Sequence, residues 1–188
     1  MSFRILFSLS NIFLCLTIKF CTNICDRHNY SAIFVMLPLL DYEKLTGPQF
    51  LAINFLTWTT FIHHSIKSDI PFQRGNRLTK ALDETAICFL AFTRIIIPWQ
   101  LHTGITVAAF TAKFLFDSSF INHMVYIYAS SYTWPVLMSP YFMILLISTG
   151  YSYRILKFQD NSYPWHLCNG LCLYTIHKYF PVTLEIAS

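Results

Sequence analysis

Two short clusters of ionisable side chains stand where apolar segments meet a polar connection. Thr57-Trp58-Thr59-Thr60-Phe61-Ile62-His63-His64-Ser65 brings one apolar run to an end in two adjacent histidines, and Ala81-Leu82-Asp83-Glu84 opens the next on two adjacent carboxylates. Neutral imidazoles are ligands for Zn²⁺ at Zn–N distances of about 2.0–2.1 Å, leaving a position for water. A nearby carboxylate can orient that water or shuttle its proton, and the metal brings the water's pKa to about 7. The chemistry such a set supports is hydrolysis of an amide or an ester. The plainer reading is that helix ends are wet, and that Asp83 and Glu84 are carboxylates favoured by a helix N-terminus.

The elements that must position these residues are read from composition first. The chain has 188 residues, 55% hydrophobic and 12% charged, with 18 phenylalanines and 11 tyrosines. An ordinary soluble domain carries about 25% charged residues. The apolar runs are continuous rather than alternating, which argues against a β-barrel. The expected fold is all-α: a polytopic membrane protein of about seven transmembrane helices in one bundle, forming a single integral membrane domain over 1–188 in an endomembrane or the plasma membrane. The net charge of +4 is spread over connecting loops with no basic stripe, so nucleic acid is not an expected partner. The expected partner is membrane lipid, and no protein partner is indicated. The six cysteines do not make a disulfide framework: Cys15, Cys88, Cys168 and Cys172 fall in apolar segments, and only Cys21 and Cys25 lie in a loop.

In chain order, the expected spans are 3–18, 49–66, 82–99, 102–116, 120–134, 136–153 and 165–180. Residues 31–40 form an apolar run too short to span and broken by Pro38, so an interfacial segment is expected there. Residues 67–80 carry Pro71 and Gly75 and read as a loop. With seven spans, the basic residues of 67–80 and Arg154 and Lys157 share a side, which the K/R rule makes cytoplasmic together with the N-terminus. His63, His64, Asp83 and His166 then lie at one depth. His123, opening the fifth segment, is on the same side, whereas His28, His102 and His177 fall on the other and read as interfacial.

Taken together, Ser10-Asn11-Ile12-Phe13-Leu14, Thr59/Thr60 with His63/His64, Leu82-Asp83-Glu84 and Trp165-His166-Leu167 resemble the CREST superfamily. That group holds alkaline ceramidases, Per1-type GPI-lipid remodelling proteins, progestin and adipoQ receptors and myomaker-like proteins. The resemblance implies seven helices around a zinc held by three histidines, with a serine and an aspartate beside it. It assigns the first ligand to His64 or His63, the serine's place to Thr60 or Thr59, the aspartate's to Asp83 and one later ligand to His166. The sequence departs from the family at Ser162, where a further histidine is expected one turn before His166, and in the length of the 67–80 loop. His123 is the candidate replacement for the third ligand. The resulting expectation is a zinc-dependent hydrolase of a lipid amide or ester, with His64, His166 and His123 on the metal and Asp83 and Thr60 as catalytic residues. Two rival expectations are a receptor-like or scaffold protein with a degenerate metal site, and a subunit of a larger membrane complex. Cys168 and Cys172 read as packing residues. No phosphate-binding glycine loop and no G-x-S-x-G elbow is present.

Overall fold

The computed structural model describes residues 6, 10, 27–65, 76–94, 98–131, 138–159 and 163–179. The described residues build a 3₁₀ helix, Arg27–Lys44, and six α-helices: α1 (Gly47–Ser65), α2 (Arg77–Phe92), α3 (Trp99–Phe116), α4 (Phe120–Ser131), α5 (Pro140–Gln159) and α6 (Tyr163–Tyr179). Apart from residues 6 and 10, the expected first span at 3–18 lies outside the described residues, as do the cysteines at 15, 21 and 25 and Ser162.

Local chemistry sets the helix starts. Thr46 and Gln49 bond reciprocally at the head of α1, Thr46 N–H donating to Gln49 Oε1 (3.0 Å) and Gln49 N–H to Thr46 Oγ1 (3.3 Å). Asn76 caps α2: its side chain accepts from Thr79 N–H at 2.9 Å, and Thr79 Oγ1 accepts from Asn76 N–H at 2.9 Å. Each box satisfies backbone donors that a helix leaves open in its first turn. The 3₁₀ helix contains Pro38 and breaks at Asp41, whose φ of −110° and ψ of 41° are not helical.

One core cluster joins the 3₁₀ helix (Val35), α1 (Ala52, Ile53, Leu56) and α2 (Ala86, Leu90), with Leu173 of α6 packed against it. A second joins α2 (Cys88, Phe92), α3 (Ala109) and α4 (Val125). Helix α2 therefore lies between two packing groups. Helix α6 packs on the 3₁₀ helix and α5, and at Gly170 it comes close to the 3₁₀ backbone. A Cβ there would lie 2.0 Å from the Phe34 carbonyl oxygen.

The reading as a polytopic membrane protein is corrected by these helices. Among the described residues, no helix is long and apolar enough to cross a membrane. Helix α4 has 12 residues, α2 has 16 and α6 has 17. At 1.5 Å per residue they reach about 18–26 Å, against a hydrocarbon core of about 30 Å. The longer α1 carries Gln49, Asn54, Thr57, Thr59, Thr60 and His64, all buried. Composition signalled apolar helices correctly, but none of the described helices is both long and apolar enough for a span.

Glu84 is next to Asp83 in the sequence, but successive residues on a helix point about 100° apart, and the two have different partners. Lys113 of α3, 4% exposed, bonds Glu84 Oε1 and Asp117 Oδ1, both at 2.9 Å, and donates to Ser119 Oγ at 2.9 Å. Ser119 in turn donates to Glu84 Oε2 at 2.7 Å. Burial alone would lower the Lys113 pKa, but the bonds to Glu84 and Asp117 outweigh it and hold the value above the ordinary one, so the ammonium stays charged. This clamp ties α2 to the α3–α4 turn, where Asp117 sits in the left-handed region at φ 52°. Lys113→Met should cost about 2 kcal/mol, because Glu84 and Asp117 are exposed enough to rehydrate part of their loss. A urea midpoint unchanged by the substitution would count against the clamp.

Candidate functional site

The site is built where α1 ends, α2 begins and α6 begins. Thr60 and His64 are one turn apart on α1, so they share a face. Thr60 Oγ1 donates to Asp83 Oδ1 of α2 at 2.6 Å, and Thr59 Oγ1 reaches the same oxygen at 3.4 Å. On that face His64 meets His166 of α6, ring centroids 4.7 Å apart and edge to face at 78°. Both imidazoles are buried, at 8% and 5% exposure. His63 turns away: its Nδ1 lies 3.4 Å from Thr79 Oγ1 in the α2 cap, and its ring centroid is 5.1 Å from that of His64. The alternatives His63 and His64 are thus separated by their partners, and His64 is the one that faces His166.

Burial controls the electrostatics. It lowers the His166 pKa to about 4, with His63 adding repulsion. It also lowers His63 to about 4, with Lys80 acting in the same direction and Glu84 against it. These two rings are therefore neutral at pH 7, the form in which imidazole binds metals or accepts protons. Asp83 moves the other way. Burial raises its pKa to about 6, the Thr60 and Thr59 hydrogen bonds pull it back, and Glu84 raises it further. Both hydroxyls bond Oδ1, which leaves Oδ2 as the atom that gains and loses the proton.

Two imidazoles sharing one ion at about 2.0–2.1 Å have ring centres about 5 Å apart, and the His64–His166 pair meets that distance. Among the described residues, however, no group of three or more His, Cys, Asp or Glu side chains is arranged to hold a metal ion. The pair fits as two ligands of an ion and does not complete the three-ligand set of a hydrolytic zinc centre.

The other sequence-derived candidates go elsewhere. His123 does not join the cluster: it is exposed on α4, which packs on α2 and α3, and this removes it as a third ligand. The ring of His102 lies against Phe89 and Phe92, centroids 5.1 and 4.8 Å away. His177, read as interfacial, is instead 3% exposed within α6. Cys168 and Cys172 are free thiols, and Cys172 Sγ lies 3.6 Å from Thr149 Oγ1 of α5. Asn76 and Thr79, which position His63, were missed by the sequence reading. An N-x-x-T box ahead of an apolar helix was the signal available for them. Compared with family models, curated proteins and solved structures, the chain matches none.

Proposed function

We propose that this chain is a metal-assisted hydrolase of an amide or ester bond in an apolar, lipid-like substrate, with its site at His64, His166 and Asp83. The observation that carries the reading is the contact between His64 and His166, two buried imidazoles from the end of α1 and the start of α6, with Asp83 held by Thr60 one turn away. With a further ligand from outside the described residues or from the substrate, a zinc-class ion there would supply a Lewis acid and a water of lowered pKa. His64 and His166 are the residues that would hold the ion, His166 through a ring that burial keeps neutral. Asp83, with a pKa near 6, takes a proton on Oδ2 and returns it, and Thr60 and Thr59 fix the carboxyl's orientation through Oδ1. An apolar substrate is supported by exposed large side chains on α5, among them Ile144 at 63% and Ile147 at 68%.

Zinc content of the purified chain, measured with turnover of a long-chain amide and a long-chain ester, tests this proposal. His166→Ala should lose bound zinc while the fold persists, whereas unchanged zinc content would refute the site. Asp83→Asn should weaken zinc by roughly 10–100-fold and abolish hydrolysis. A second reading, a non-catalytic binding protein with an incomplete metal site, is favoured by the two-imidazole count. Zinc bound without turnover of either substrate would select it.

A further inference from the structure

The turn between α3 and α4 is fixed by polar bonds yet tipped with aromatic side chains. Asp117 N–H donates to the Lys113 carbonyl at 3.0 Å and Ser118 N–H to the Ala112 carbonyl at 3.2 Å, which closes the end of α3 around the left-handed Asp117. Phe116 and Phe120 flank this turn at 75% and 68% exposure, and Leu115 beside them is exposed as well. The head of α2 lies against the same turn: Arg77 Nη2 donates to the Leu115 carbonyl oxygen, and Lys80 Nζ is 3.6 Å from Asp117 Oδ1. Leu78, between those two basic residues in the chain, is also exposed. These contacts join four large apolar side chains into one corner, and exposed apolar groups gathered in this way mark an interaction site.

The charges around the corner favour one occupant. Three cations, Arg77, Lys80 and Lys113, stand against two carboxylates, Glu84 and Asp117. Buried Lys113 bonds both carboxylates at 2.9 Å, so the exposed Arg77 and the half-exposed Lys80 give the rim its net positive charge. A second copy seated on this corner about a two-fold axis would set basic rim against basic rim. We propose that the corner docks on an anionic lipid surface, with Phe116 and Phe120 entering the boundary between headgroups and acyl chains and Arg77 and Lys80 lying at the lipid phosphates. Aromatic rings favour that boundary, and each basic side chain near an anionic leaflet adds attraction. The chain then lies on the bilayer and does not cross it. The corner is at the end of the bundle that holds the candidate site: Glu84, clamped by Lys113, directly follows Asp83, and Thr79, between Leu78 and Lys80, meets His63. Docking there sets the His64–His166 pair near the lipid that supplies its substrate. That purpose rests on the function proposed above, whereas the docking itself does not.

Flotation of the full chain on phosphatidylcholine vesicles with and without phosphatidylserine tests the docking. Partitioning should rise about tenfold with phosphatidylserine and fall as salt is added. Phe116→Ser and Phe120→Ser should each lower it about tenfold, the share of one buried ring. Arg77→Gln and Lys80→Gln should each lower it about fivefold on phosphatidylserine vesicles only. The two phenylalanines are exposed, so circular dichroism should show both variants folded. Ile147→Ser, on the exposed face of α5, is the control and should leave partitioning unchanged. No flotation, flotation indifferent to phosphatidylserine, flotation that the four substitutions at the corner leave intact, or flotation that Ile147→Ser alone abolishes overturns the proposal. So does sedimentation as a dimer that Phe116→Ser dissociates. Flotation as expected without hydrolysis of either long-chain substrate keeps the docking and removes the hydrolase reading, and hydrolysis without flotation does the reverse.

Discussion

Gly170→Ala should lower the stability of the chain by about 2–4 kcal/mol, although the same substitution inside a helix normally raises it by about 0.5–1 kcal/mol. The reversal follows from the crossing of α6 over the 3₁₀ helix. An added Cβ meets the Phe34 carbonyl oxygen at 2.0 Å, its carbon at 2.8 Å and Leu37 Cδ1 at 3.1 Å. Two of those atoms are backbone and cannot swing aside, so α6 must lift from its seat. Gly150, exposed inside α5 with nothing within 4 Å of its built Cβ, is the internal control and should show the ordinary gain. Urea unfolding of both variants decides the matter. If Gly170→Ala stabilises as Gly150→Ala does, the close crossing is wrong.

Acid should unfold the chain well before its carboxylates are all protonated. His166 and His177 have folded pKa values of about 4, both lowered chiefly by burial, against 6.5 for the free side chain. Between those values the unfolded chain binds more protons than the folded one. The stability these neutral rings contribute is thus complete above pH 6.5 and is lost as pH falls toward 4. Each histidine accounts for roughly 3 kcal/mol over that window, and the partly exposed His63 adds less. Asp83 opposes them: its folded value of about 6 lies above the ordinary 3.8, so its contribution to stability grows as pH falls through the same window. The net loss is roughly 3–5 kcal/mol, a large part of the stability of a domain this size. Denaturant midpoints measured from neutral pH to about 4.5 should fall steeply, and His177→Phe should flatten the slope by about one proton. A level profile would mean that these rings are hydrated in the folded chain.

Helix positions were more legible than helix surroundings. The run ending at His64 and the polar stretch with Pro71 and Gly75 marked the end of α1 within a residue, since breakers and apolar periodicity act locally. The start of α2 was placed at Leu82, five residues late, because the Asn76–Thr79 cap is set by two polar side chains that an apolar pattern does not register. At the site, the pairing of His64 with His166 and of Thr60 with Asp83 was within reach, because both lie on helix faces with fixed periods. The choice between His63 and His64 was not, since adjacent residues differ only in which neighbour their face meets. His123 was misplaced for a related reason: sharing a predicted level says nothing about which side of a bundle an element occupies. Lys113, far from Glu84 in sequence, gave no local sign of its three partners. Membrane crossing was inferred from apolar content, whereas span length and interior polarity decide it.

The docking of α6 has a consequence for the order of assembly. His64 and His166 come from the first and last α-helices described, and α6 seats on the 3₁₀ helix near the other end of the chain. Contacts between such distant segments close the largest loops and form late in folding. The packing of α2 against α1, α3 and α4 involves nearer neighbours and can be complete beforehand. An intermediate with α6 undocked would therefore keep Asp83 on Thr60 and Lys113 on Glu84, yet have no imidazole pair. The imidazole pair would then arise in a single late step, so that one event completes the site.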